Sequence, residues 1–178
     1  MKCIAGTWKT LATALCAVAS VAIAVQNAPA QATLPEPAEP PALAKGTVVE
    51  PFDAEGIDGK VRRVTFKSNT VVLFFLSSCP TCHRMLPLWN TAYERRPKGL
   101  EVVGVMLDQE VPGFFAATPI AFPVLRAPGR TPAERRVFSE TFKIQKVPVT
   151  LRIGAGGKVE DVGSGLLDPI RLGELFRP

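Results

Sequence analysis

The sequence predicts one α/β domain, a central sheet carrying helices on both faces. Three observations lead there. Residues 70–76 (TVVLFFL) form a wholly apolar run with the β-branched and aromatic content of a central strand covered on both sides. Residues 100–107 form a second buried strand, and between the two Met85, Leu88, Trp89 and Ala92 fall at helical spacing. Shorter strand-like and helix-like segments then alternate to the end of the chain, the pattern of helices layered on a sheet.

Composition narrows the alternatives. A chain of 178 residues fits one domain better than two. Its 21 Lys+Arg against 16 Asp+Glu give +5, too mild and too scattered for a nucleic-acid binder, so no nucleic-acid partner is expected. Four cysteines fit a disulfide scaffold, a zinc site or a redox centre, and 17 prolines are an unusually large share.

The N-terminus reads as a secretory signal: Lys2, an apolar run over residues 11–25, then Ala30-Gln31-Ala32, with cleavage after Ala32. An uncleaved N-terminal membrane anchor is the rival, but about 15 apolar residues at 1.5 Å each reach only ~22 Å of a ~30 Å hydrocarbon core. Cys16 sits inside the apolar run behind Thr13-Ala14-Leu15, without the small residue that a lipidation site needs there. Removing residues 1–32 takes away Lys2, Lys9, Cys3 and Cys16, so the charge falls from +5 to +3 and two cysteines remain. A multi-bridge scaffold is then excluded, and the chain is expected in the periplasm, where an unprotected cysteine pair oxidises.

Residues 33–46 (TLPEPAEPPALAKG) carry Pro35, Pro37, Pro40 and Pro41 and no aromatic, so they are expected to form a loose Pro-rich linker reaching roughly 40 Å, with the folded domain at 47–178. Within the domain, residues 48–64 alternate around Asp58-Gly59, a short hairpin. The strand at 70–76 runs into Ser77-Ser78-Cys79-Pro80-Thr81-Cys82, and a helix begins at or beside Cys79 with Pro80 in its first turn, where proline is tolerated. Pro87 should kink that helix. Residues 112–117 suggest a short helix and 122–125 a short strand. Thr131, Pro132 and Glu134 form a capping-box start for a helix expected to bury Val137, Phe138, Thr141 and Phe142. Residues 148–153 and 158–162 are strands about a glycine-rich turn, and Asp168-Pro169 caps a last helix carrying Ile170, Leu172 and Leu175.

The chemistry lies in Cys79-Pro80-Thr81-Cys82. Two thiols one helical turn apart can bridge, and the first stands at the positive end of the helix dipole, so Cys79 is expected to be more acidic than a free thiol at ~8.5. Cys82, one turn in, is expected to stay protonated and to act as the resolving thiol, an asymmetry that disulfide exchange requires.

With Val147-Pro148-Val149-Thr150 before a strand and Pro87 five residues past Cys82, the chain resembles the thioredoxin fold over roughly residues 47–176. The hairpin at 48–64 and the segment at 108–125 resemble, more narrowly, the TlpA/ResA-like periplasmic redoxins of the AhpC-TSA-like superfamily. The phrase FFLSSCPTCHRMLP is also similar to accessory thiol proteins of methylamine dehydrogenase maturation. The resemblance implies a central mixed β-sheet with helices on both faces, an N-terminal β-hairpin and a central insertion. It implies a thiol:disulfide oxidoreductase with Cys79 as nucleophile, Cys82 as resolving thiol and Pro148 as a cis-proline in the substrate groove, modulated by Pro80, Thr81, His83 and Val147. No cofactor and no metal are implied. Its partners would be proteins bearing thiols or disulfides, with specific clients such as apocytochromes or metalloenzyme maturation factors and a membrane-embedded electron donor.

The chain departs from that pattern where an acid normally serves the buried thiol: Leu73 and Met85 occupy both places, and Ser78 replaces the usual Trp. Glu101 and Glu110 are the substitutes the sequence offers. Other readings of the same cysteines are a structural disulfide, half a zinc site, a thiol peroxidase, and a copper-binding maturation factor using Cys79, Cys82 and His83. Zinc lacks ligands, since His83 is the only histidine. The peroxidase pattern wants Thr and Pro where Leu76 and Val72 stand. His83 is either a modulator of the thiolate or a solvated helix position.

Overall fold

Hydrophobic runs long enough to be covered on both faces demand two cores, and the computed structural model, which describes residues 43–177, has both. The chain order is β1 (Phe52–Gly56), β2 (Val61–Val64), β3 (Thr70–Phe75), α1 (Pro80–Glu94), β4 (Glu101–Met106), α2 (Phe114–Ala117), β5 (Val124–Arg126), α3 (Pro132–Thr141), β6 (Val149–Ile153), β7 (Val159–Ser164) and α4 (Pro169–Leu175). The seven strands form one mixed sheet in the order β2-β1-β5-β4-β3-β6-β7. β3 lies parallel to β4 and antiparallel to β6, and all six of its residues are buried.

The alternation of β3 explains why its run is apolar throughout. Val72 and Phe74 point into the core under α3, whereas Val71, Leu73 and Phe75 point into the core under α1 and α4. On the first side Phe74 lies 5.3 Å from Phe142, and Phe52 lies 5.2 Å from Phe138. On the second, Phe75 meets Trp89 at 6.3 Å, and the Trp89 indole N–H donates to Thr150 Oγ at 3.0 Å. Each such ring contributes on the order of 1.5–3 kcal/mol through burial.

α1 runs through Pro87 to Glu94, with Thr91 Oγ donating to the Pro87 carbonyl. The capping box of α3 forms: Thr131 Oγ accepts the Glu134 N–H, and the Glu134 carboxylate accepts the Thr131 N–H. Its inward face differs from expectation. Arg135, Phe138 and Phe142 are buried at spacings of three and four, which turns Val137 (61% exposed) and Thr141 to solvent. Ile170 is likewise out, 80% exposed, while Leu172 and Leu175 pack inward.

Residues 1–32, expected to be a signal segment, and residues 33–42 of the expected Pro-rich linker lie outside the described residues. Leu43 is buried and the Gly46 N–H donates to the Val159 carbonyl, so the end of that stretch docks on the domain. Among the described residues no helix is long and apolar enough to cross a membrane.

Candidate active site

The carboxyl end of β3 delivers the dithiol. A turn over Leu76-Ser77-Ser78-Cys79 closes with the Cys79 N–H on the Leu76 carbonyl, and Cys79 caps α1. Pro80 takes the first helical position, where its missing N–H costs nothing. The Cys79 sulfur accepts the Cys82 N–H at 3.2 Å, so it satisfies a helix-start donor with its own side chain. Cys79 is partly exposed and Cys82 fully buried, and both are free thiols. Burial pushes the Cys82 thiol up to about 12; the hydrogen bond to the Cys79 sulfur adds to this, as do the charges of Cys79 and Asp108, against a lowering contact from the Leu76 backbone.

Leu73 and Met85 are fully buried and apolar, so neither position supplies an acid to the pair. The two acids suggested as substitutes do not reach it. Glu101 opens β4 opposite Thr70, at the far end of β3 from the dithiol, and the Glu110 carboxylate pairs with Arg126 at 3.0 Å. The acid that does reach the loop is Asp108, which sequence reasoning missed. One carboxylate oxygen accepts the Ser77 N–H at 2.8 Å; the other accepts the Ser78 N–H at 3.1 Å and both serine hydroxyls at 3.0 Å. The available signal was an acid directly after the second apolar run, at the end of a strand parallel to β3.

His83 is an exposed helix residue whose ring turns back onto the loop. Its Nε2 lies 2.7 Å from the Ser77 carbonyl, which only accepts, so Nε2 is the donor, and the ring packs 5.5 Å from Phe114. Ser77 is thus held by His83 at its carbonyl and by Asp108 at its N–H. Thr81 is half-buried on the first turn of α1.

The Val147–Pro148 peptide bond is cis, and the Pro148 carbonyl accepts the Gly165 N–H at 2.8 Å. β6 begins where Val149 pairs with Phe74, and continuing that register sets Val147 abreast of Leu76. Leu76 and Val147 line one groove of about 420 Å³ with Leu107, Ile144, Asp108 and Arg135. Among the described residues no cluster of three or more His, Cys, Asp or Glu is placed to hold a metal ion.

No family model matches the chain, and no curated protein matches it. Solved structures do. StoA from Bacillus subtilis is 21% identical, with a TM-score of 0.58 over 71% of this chain and 96% of that one. A protein assigned as thiol:disulfide interchange protein DsbE from Chlorobium tepidum is 25% identical, with a TM-score of 0.58 over 75% and 93%. The thioredoxin domain of a thiol-disulfide oxidoreductase from Bacteroides vulgatus is 17% identical, with a TM-score of 0.60 over 74% and 94%. The chain therefore has the thioredoxin fold, which it shares with the assigned thiol:disulfide interchange protein and the thiol-disulfide oxidoreductase domain.

Proposed function

We propose that the protein is an exported thiol:disulfide oxidoreductase that exchanges the Cys79–Cys82 pair with partner proteins, acting as a reductant of specific clients. The observation that carries this reading is the asymmetry of the pair: a partly exposed sulfur at a helix start beside a buried thiol pushed up to about 12. The Cys79 thiolate attacks one sulfur of a client disulfide, forming a mixed disulfide and releasing the other client sulfur as thiolate. Cys82 then gives up its proton and attacks the Cys79 sulfur. The intramolecular disulfide closes, the second client thiolate leaves and takes up a proton, and two electrons have passed to the client. A membrane-embedded dithiol donor restores the pair.

A client segment lies along Val147, which shares a groove with Leu76, and against the cis Pro148 that follows it. Pro80 starts the first turn of α1 with Thr81 next to it between the cysteines, and His83 braces the loop through Ser77. Placement in the periplasm rests on the signal-like N-terminus, and a secreted disulfide oxidoreductase of Mycobacterium tuberculosis shares the fold at a TM-score of 0.57. Apocytochromes and metalloenzyme maturation factors are the client classes that the resemblance suggests.

The test is exchange with oxidised glutathione and with a protein disulfide such as insulin. The wild type should reduce both, Cys82→Ala should accumulate a mixed disulfide on Cys79, and Cys79→Ala should do neither. A wild-type pair that exchanges with neither oxidant would sink the reading.

A further inference from the structure

Asp108 is the one acid among the described residues that hydrogen-bonds the dithiol loop, and it does so with four bonds to Ser77 and Ser78. Ser77 is 2% exposed, so its N–H has no water to fall back on, and a buried donor without a partner costs about 1–3 kcal/mol. The Ser77 hydroxyl in turn accepts the Val111 N–H at 2.9 Å, which ties the segment after β4 into the same knot. Asp108 is itself anchored: Phe75 pairs with Met106, and the Leu107 N–H donates to the Phe75 carbonyl at 2.9 Å. The carboxylate therefore joins the ends of two parallel strands immediately before Cys79.

We infer that Asp108 is a positioning residue of the dithiol, gripping Ser77 and Ser78 so that the Cys79 sulfur is presented and resolved in one geometry. This rests on the oxidoreductase reading. The Asp108 carboxylate also adds, after burial and the hydrogen bond to Cys79, to what holds Cys82 protonated.

Full-length wild type, Asp108→Asn, Ser78→Ala and the double variant are equilibrated with reduced and oxidised glutathione, and formation and resolution of the Cys79–glutathione mixed disulfide are followed by quenched-flow mass spectrometry. Asp108→Asn keeps the side-chain volume and one acceptor oxygen. It should slow resolution about tenfold or more, because the loop no longer holds the Cys79 sulfur in one geometry. Ser78→Ala gives up an exposed hydroxyl and should slow resolution about threefold, while the double variant should be no worse than Asp108→Asn because both act through one contact. Resolution rates within twofold of wild type in Asp108→Asn, or fully additive losses in the double variant, overturn the inference. Should Asp108→Asn not fold, wild-type behaviour of Ser78→Ala overturns it. Failure of the oxidoreductase reading looks different: the wild type itself does not exchange, and both conclusions then fall.

Discussion

The Cys79 sulfur accepts the backbone N–H of Cys82 at 3.2 Å, so the two cysteines are linked before any disulfide forms. One of them faces solvent in part and the other has no exposed surface, and the difference in behaviour follows from that placement rather than from residue type.

Alkylation should discriminate between them. At pH 8 iodoacetamide is expected to modify Cys79 and to leave Cys82 intact in the folded protein, because a thiol pushed up to about 12 offers roughly one part in ten thousand as thiolate. Peptide mass spectrometry after a short exposure reads this directly. Equal labelling of both cysteines would show that Cys82 is not shielded.

The same burial makes stability fall at high pH. The thiol is raised in the folded state from 9.0 to about 12, so the unfolded chain releases its proton first as pH climbs past 9. The stabilisation is complete below about 9 and is lost as pH rises through about 12. Urea melts of wild type and Cys82→Ala across this range should show the wild type losing a few kcal/mol more than the variant. Parallel pH profiles would refute the assignment.

Gly157→Ala should destabilise the domain by about 2–3 kcal/mol. Gly157 has φ +88° in the turn before β7, and a Cβ there would stand 2.4 Å from the Val49 carbonyl oxygen, a backbone atom already tied to the turn by the Val49 N–H on the Gly157 carbonyl. Thermal melting is the measurement; a Tm within a degree of wild type would mean the turn relaxes freely.

Arg152→Met is expected to cost about 1–3 kcal/mol. The Arg152 guanidinium is nearly buried, binds Glu160 at 2.8 Å and donates to the Arg177 carbonyl at the end of the chain, so its loss leaves that carbonyl without its donor and loosens the seat of α4. Denaturant midpoints of the two proteins test this, and exchange activity should survive because Arg152 lies on β6 well past Pro148.

Much of the fold was legible because it is written in short windows. The apolar run of β3, the N-cap of α1 and the Thr131–Glu134 capping box are local patterns, and each appears where periodicity placed it. The inward face of α3 was misjudged because hydrophobicity alone put Val137 and Thr141 inside, whereas the helix presents Arg135, whose guanidinium donates to the Gly129 carbonyl at 2.9 Å. A buried arginine satisfied by a carbonyl gives no hydrophobic signal.

That the two thiols meet was determined by the sequence on its own, since residues three apart at a helix start meet in every such helix. Which acid serves their loop was decided only by the tertiary structure. Asp108 lies 31 positions from Ser77 and reaches it because β3 and β4 run parallel in a register that pairs Phe75 with Met106 and brings both carboxyl ends to one edge. Strand order and register depend on how two cores close around the sheet, a property of the whole chain, so no window around the cysteines contains it.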